Sequence, residues 1–501
     1  MNSLLALLLA TTVTTNAAKV ASEYDRVQSA QLVPMLSEVL RFPTIGGDDE
    51  ARRNQQAWLL RTAKDLGFVA RDAGPVTEID LPATVDNAPI LGLVVHGDVQ
   101  PVDLDAWTFP PFGGKVSDGF VYGRGAADDK GPMIQALLSM KALEQSGIAR
   151  THTIRLLVGS DEESGSTDMA EYLKSHQPPD YSLVLDSEFP VVVGEKAWNS
   201  LTLSTPLRER GTSTKPYVVS TLTAGLGASI VPDNAEIDLM WTKGTANWPP
   251  FEAALKKFKL PEGRRLVTLA KGKLLRIVVY GKSAHAGVNL TGGRNALVGL
   301  ARLMKGRLPN GGANDLLTFA RLAGQDFYGT GLGITDNDPI WGRYAVNVAT
   351  IKIDPENAKN TMLTINIRST PPRTGEQLKA KLAAFVAKFA EARGATIETG
   401  GYYKDETLFF DPKGKLVRRL LDDYAQATGK RVKPAISGGG TYAKRIPNAI
   451  AFGMWFPGKP YPGHDVDEKI SIDDLQRGAH VLIYALTDIV TGPKIEKPFV
   501  P

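Results

Sequence analysis

The chain has 501 residues, 43% hydrophobic and 22% charged, with 49 Gly and 32 Pro. That composition excludes a disordered, collagenous or coiled-coil architecture, and at ~100–200 residues per domain the length excludes a single core. Fifty-eight Lys+Arg against 54 Asp+Glu leave a formal charge of +4, with no basic run to suggest nucleic acid or an anionic membrane surface as partner.

Residues 4–13 (LLALLLATTV) form an apolar run, followed by Ala17-Ala18 before the first charged residue, Lys19. The run is shorter than the ~20 residues that cross a bilayer as a helix, and it has the length of a secretory signal core although no Lys or Arg precedes it. Residues 1–18 are therefore expected to be a signal peptide, with a periplasmic or secreted product and no stable membrane anchor. The alternative is the buried first helix of a cytoplasmic chain.

From 25 to 67 apolar residues recur at helical spacing, as in Leu32, Met35, Leu36 and Val39 and again in Trp58, Leu59, Ala63 and Leu66. Three continuous apolar runs follow, 90–95 (ILGLVV), 154–158 (IRLLV) and 183–185 (LVL), with helical stretches at 132–145 and 166–174. Runs without alternation suit strands buried on both faces, and strands separated by helices predict an α/β fold with a mostly parallel sheet flanked by helices. Beyond about residue 194 the texture becomes alternating, with strands expected at 200–205, 230–240, 274–280, 346–353 and 362–367. A helix over 374–393 opens with the capping box Thr374-x-x-Gln377. Helix 416–426, strand 449–456 and helix 472–490 complete the chain. The expected organisation is a catalytic domain in two pieces, 19–198 and 399–501, with an inserted α+β lid domain over 199–398.

The chemistry gathers at the ends of the three apolar runs, where a mostly parallel sheet places its site. The first ends in His96-Gly97-Asp98, the second leads to Asp161-Glu162-Glu163, and the third to Asp186. Asp128-Asp129 and His464-Asp465 add to the set. A single His-x-Asp or Asp-Glu-Glu is more often a surface pair or a helix-start cluster; recurrence at consecutive strand ends gives these weight. The chain has no cysteine and six histidines, so a metal here would be held by His, Asp and Glu, a donor set suited to zinc, manganese or cobalt. Two divalent ions would relieve the repulsion among so many carboxylates.

The ordered segments HGDV (96–99), YGRGAADDKGP (122–132), GSDEESGS (159–166), LDSEFP (185–190), GKSAH (281–285), ISGGGTYA (436–443) and PGHDVDEKI (462–470) resemble the dinuclear zinc peptidase family of aminoacylases, carnosinases and carboxypeptidase G. Within it they are most similar to the bacterial dipeptidase V group. The resemblance covers about residues 25–490. It implies two divalent metal ions, zinc first and manganese or cobalt as substitutes, with Asp128 bridging both, His96 and Asp186 holding one, and Glu163 and His464 the other. It further implies that Asp98 orients His96, that the Asp128–Asp129 peptide is cis, and that Glu162 is the general base. His285 would stabilise the oxyanion, Arg368 would clamp the substrate carboxylate, and Gly438, Gly439, Gly440 and Thr441 would bind near that carboxylate. Members often carry Asn three residues before the proline of a Val-Pro pair; here Ser229 precedes Val231-Pro232 in that place.

The activity this implies is a metal-dependent dipeptidase acting on small unblocked peptides. The alternatives are a deacylase of N-acyl amino acids with the same metal centre and, from another class, a non-catalytic peptide-binding protein. A dipeptidase would offer an acid to the free ammonium, with Glu188 or Glu195 as candidates. The length of the inserted domain favours a monomer, with a homodimer as the alternative.

Overall fold

The computed structural model describes residues 15–207, 214–261, 263–353, 360–492 and 495. Within them the chain divides into two units, 1–195 with 408–501 and 196–407.

In the first unit the run at 90–95 becomes the strand Ile90–His96, which pairs in parallel with Thr153–Gly159 on one side and Tyr181–Val184 on the other. Its residues alternate between two cores. Leu91, Leu93 and Val95 join a large cluster with the helices Ser29–Val39, Lys130–Gln145 and Ile472–Thr491, whereas Val94 joins a smaller one on the opposite face with Leu157, Val184 and Tyr442. Both faces are dry, which is why the sequence shows no alternation. The sheet continues in parallel to Ala449–Ala451 and ends in antiparallel strands at both edges, Val69–Ala73 and Leu408–Phe409.

Register decides where the chemistry falls. His96 lies opposite Gly159, and Val94 opposite Val184. The segment carrying Glu162 and Glu163 and the one carrying Asp186 therefore leave the sheet level with His96, beyond its carboxyl edge.

The expected strand 449–456 is two pieces, Ala449–Ala451 and Met454–Trp455, the second paired with Ser187–Glu188 in a separate ribbon. The break falls at Gly453, whose φ of 75° favours glycine and where an added Cβ would come 2.3 Å from the Phe189 ring. The strand Val76–Leu81 was not expected, because Glu78 and Asp80 make it look polar; both are buried and held by Arg71 and Arg155.

Most of the expected signal peptide, residues 1–14, lies outside the described residues. Residues 15–23 are helical, with Val20 packed in the larger core. No helix among the described residues is long and apolar enough to cross a membrane.

The second unit is built on an eight-stranded antiparallel sheet in the order Arg265–Lys271, Leu274–Tyr280, Asn234–Trp241, Tyr217–Ala224, Ala345–Ile353, Asn360–Ser369, Ala197–Pro206, Glu398–Asp405. The helix Gly375–Arg393 opens with the expected reciprocal cap between Thr374 and Gln377. The boundaries lie at 195/196 and 407/408, against 198/199 and 398/399 from sequence, because Glu398–Asp405 pairs with Ala197–Pro206.

In the first unit Asp423 is buried on the helix Lys415–Thr428, and its Oδ2 has no partner among the described residues. Burial, reinforced by Asp488 and opposed by Arg419, raises its pKa well above 3.8. The folded protein thus binds this proton more tightly than the unfolded chain does, and stability falls as pH rises above the unfolded value. Asp423→Asn is expected to match the parent near pH 4 and to melt about 2–4 °C higher at pH 7 in thermal unfolding, for ~1 kcal/mol relieved.

Candidate metal centre

His96 is aimed by its own turn. Its Nδ1 lies 2.9 Å from the Asp98 main-chain carbonyl, which sends Nε2 toward Asp128 Oδ1, 2.9 Å away, with Asp186 Oδ2 at 3.9 Å. His464, at a left-handed φ of 61°, points Nε2 at Asp128 Oδ2, 3.1 Å away, and at Glu163 Oε1, 2.9 Å away. Asp128 therefore presents one oxygen to each imidazole. His96, Glu162 and Asp186 offer ligand atoms within 4.8 Å of one another, as do His96, Asp128 and Glu163. The Asp128–Asp129 peptide is cis, as the resemblance implies.

Asp98 works differently from expectation. Its main chain orients His96, while its carboxylate accepts the amides of Glu162 at 3.1 Å and Glu163 at 3.0 Å. The side chain holds the turn that carries Glu162 and Glu163, and its nearer oxygen is 3.6 Å from Nδ1.

Three supporting groups were not foreseen. Glu468, fully buried, accepts the amides of Gly125, Ala127 and Asp128 and the Arg124 guanidinium, which fixes the turn into Asp128. Gln100 donates to Glu163 Oε2 at 2.8 Å, leaving Oε1 to face His464. Tyr461 donates its hydroxyl to Asp128 Oδ2. Arg124 and Glu468 stand inside the segments YGRG and DEKI, and that placement is the one sequence signal they carry; Gln100 and Tyr461 carry none.

The electrostatics are those of crowded carboxylates around two imidazoles. Burial raises Glu162 and Asp186 well above the ordinary carboxylate range, and the neighbouring acids add to it against the pull of His96. Burial likewise pushes Asp98 up to about 7. For Asp128 burial is outweighed by His464 and His96, and its pKa falls well below the usual value. Burial would lower both histidines, yet the carboxylates prevail: Asp128, Asp129 and Asp98 raise His96 well above 6.5, and Glu163 and Asp128 push His464 up to about 10. Two imidazole nitrogens, a carboxylate shared between them and further oxygens on either side fit two divalent ions.

The glycine run belongs to the same unit. Thr441 donates both its amide (3.1 Å) and its hydroxyl (2.7 Å) to Glu195, and its hydroxyl also accepts the Ala443 amide. Gly439 donates its amide to Ser437 Oγ. Glu195 is 1% exposed and serves as the anchor of this loop, which corrects its candidacy as an ammonium acceptor. Glu188 is half-buried, and burial raises its pKa.

In the second unit His285 Nδ1 accepts the amides of Gly287 (3.0 Å) and Val288 (2.9 Å). That selects the tautomer with the proton on Nε2, a hydrogen-bond donor. Arg368, 2% exposed, donates Nε to Asn366 Oδ1 at 2.9 Å and Nη2 to Ser229 Oγ at 3.0 Å. Trp198 Nε1 donates to the same hydroxyl at 3.3 Å. Ser229, standing where the family often has Asn, therefore braces Arg368.

The profile of peptidase family M20/M25/M40 matches residues 92–488. Beta-Ala-Xaa dipeptidase of Lactobacillus delbrueckii subsp. lactis is 29% identical over 394 residues, 77% of this chain and 78% of that protein. YtjP of Bacillus subtilis (strain 168) is 29% identical over 401 residues, 80% and 83% of the two chains. In structure the chain is similar to human carnosine dipeptidase 1, with a TM-score of 0.59 and 12% identity over 94% of this chain and 98% of that one. The di-peptidase Dug1p from Saccharomyces cerevisiae gives a TM-score of 0.60 and 14% identity over the same shares. Both are likenesses of fold.

Proposed function

The chain belongs to peptidase family M20/M25/M40, and on that premise we propose that it is a metal-dependent dipeptidase, hydrolysing the peptide bond of short unblocked peptides. The observation that carries this reading is Asp128 with one oxygen toward each of two buried histidines, beside Glu162. In this reading His96 and Asp186 hold one ion, Glu163 and His464 the other, and Asp128 both, with zinc the first candidate. Bound there, the ions supply Lewis-acid polarisation of the scissile carbonyl and an acidified water.

The chain's own groups do the rest. Glu162 is half-buried among acids and its carboxyl is held above the ordinary range, which suits a group that accepts and returns a proton. It takes the proton from the attacking water and returns it to the leaving amine. Asp98 fixes its main chain while doing so. The resemblance gives the oxyanion to His285 and the substrate carboxylate to Arg368. The fixed Nε2–H tautomer suits the first role, and a guanidinium braced by Asn366 and Ser229 suits the second.

A matched set tests the proposal: a free dipeptide, its N-acetylated form, its C-terminal amide, a tripeptide and an N-acetyl amino acid, each with metal-replete and chelated protein. Cleavage of the free dipeptide alone, and only with metal, is the expected result. Preference for the N-acetyl amino acid would replace the reading with deacylation, and metal binding without any cleavage would leave a peptide-binding protein.

A further inference from the structure

The loop carrying Glu162 hangs from two buried carboxylates. Asp98 takes the amides of Glu162 and Glu163. Asp168, on the short helix Thr167–Tyr172, takes those of Ser160 at 2.6 Å and Asp161 at 3.1 Å, both through Oδ2, and that of Met169 through Oδ1. Four successive amides are thereby spoken for, and the proposed chemistry assigns Asp168 no part.

The group that completes Asp168 comes from far away in the chain. Tyr442, 1% exposed, donates its hydroxyl to the same Oδ2 that holds Ser160 and Asp161. It directly follows the glycine run and Thr441, which is itself tied to Glu195. The strand end is shaped to admit this contact: a Cβ on Gly159 would come 2.1 Å from the Tyr442 oxygen and 2.6 Å from Asp168 Oδ2. A side chain on Gly159 is thus incompatible with the pair.

We propose that Tyr442 and Asp168 are a positioning pair for Glu162, setting the loop at 160–163 against the strand end and tying it to the glycine run. Without the phenol hydroxyl, Asp168 loses a charge-assisted hydrogen bond on the oxygen that anchors two amides, which is then held by those amides alone and is less firmly placed. Asp98 still holds Glu162 and Glu163, so the loop stays folded but less well placed. A base displaced by a fraction of an ångström costs rate more than affinity.

The test is Tyr442→Phe, which keeps the ring, in the full-length metal-loaded protein, with Asp168→Asn as the second variant. The kinetic arm rests on the dipeptidase reading: kcat per metal-loaded centre is expected to fall by about tenfold or more, with KM within about twofold. The second arm does not rest on it. Amide hydrogen exchange in a peptide spanning 159–166 is expected to accelerate by about tenfold, while a peptide from 375–393 stays unchanged. A parent protein inactive on dipeptides would sink the function reading and leave the exchange result to decide the positioning role. Parent-like exchange at 159–166, or parent-like kcat with only a lowered Tm, would overturn the pair.

Discussion

Glu162→Gln is expected to lower kcat on a free dipeptide by about 10³-fold, while metal content and Tm remain those of the parent. The amide keeps the size of the side chain but cannot accept a proton. The loop's attachment does not depend on that side chain, because Asp98 and Asp168 hold main-chain amides. Removing this acid from a crowded cluster also costs little favourable pairing, since burial and the surrounding carboxylates outweigh the pull of His96 and disfavour its charged form. Steady-state kinetics beside elemental analysis of the same sample makes the check. A Glu162→Gln protein that kept more than about a tenth of the parent kcat with full metal would remove Glu162 from the proton path.

The first contacts of this centre were legible because sheet geometry does the gathering. Three strands in parallel register end level with one another, so a sequence reader who finds His96, Glu162–Glu163 and Asp186 after three apolar runs has already placed them together. Asp128 and His464 end no strand; residue type added them to the set, and their individual roles needed the resemblance. What held these groups in place was not legible. Gln100 reaches Glu163 and Tyr461 reaches Asp128 across 63 and 333 positions of chain, and no local spacing encodes such contacts. Asp98 shows the finer limit: its importance was readable, but the division of labour between its carbonyl and its carboxylate depends on a turn only the fold defines.

The same contrast runs through the fold. Ile90–His96 declared itself because burial on two faces leaves only apolar residues. Val76–Leu81 is as buried, yet Glu78 and Asp80 disguise it, their charges met by arginines on its two neighbouring strands. Arg265–Lys271 is an exposed edge strand, whose composition has little to report. Glu398–Asp405 fell beyond the expected boundary at 398/399, whereas it forms an edge strand of the second unit's sheet.

Asp128→Asn tests the centre itself, and its expected effect is loss of both ions at the concentrations that saturate the parent, with kcat down by about 10³-fold or more. Other ligands serve one side; Asp128 faces both histidines. The metal-free protein sharpens the expectation. There Asp128 is the one carboxylate that holds both imidazoles charged, beside Glu163 at His464 and Asp129 and Asp98 at His96, with His464 pushed up to about 10 and His96 raised well above 6.5. Histidines with raised folded values contribute stability that is full below the unfolded value near 6.5 and is lost as pH rises through the folded one. Metal must displace those protons, so the parent's affinity should climb with pH and binding should release protons. The asparagine amide offers neither imidazolium a counter-charge, so the metal-free variant should melt below the metal-free parent at pH 6. Adding chelator should lower the parent's Tm and leave the variant's nearly unmoved, since it has no ions to lose. Titration calorimetry in buffers of different ionisation enthalpy counts the released protons. A variant that still took up two ions per chain would mean that the two sites share no ligand at 128, and the bridging role would pass to another carboxylate of the cluster.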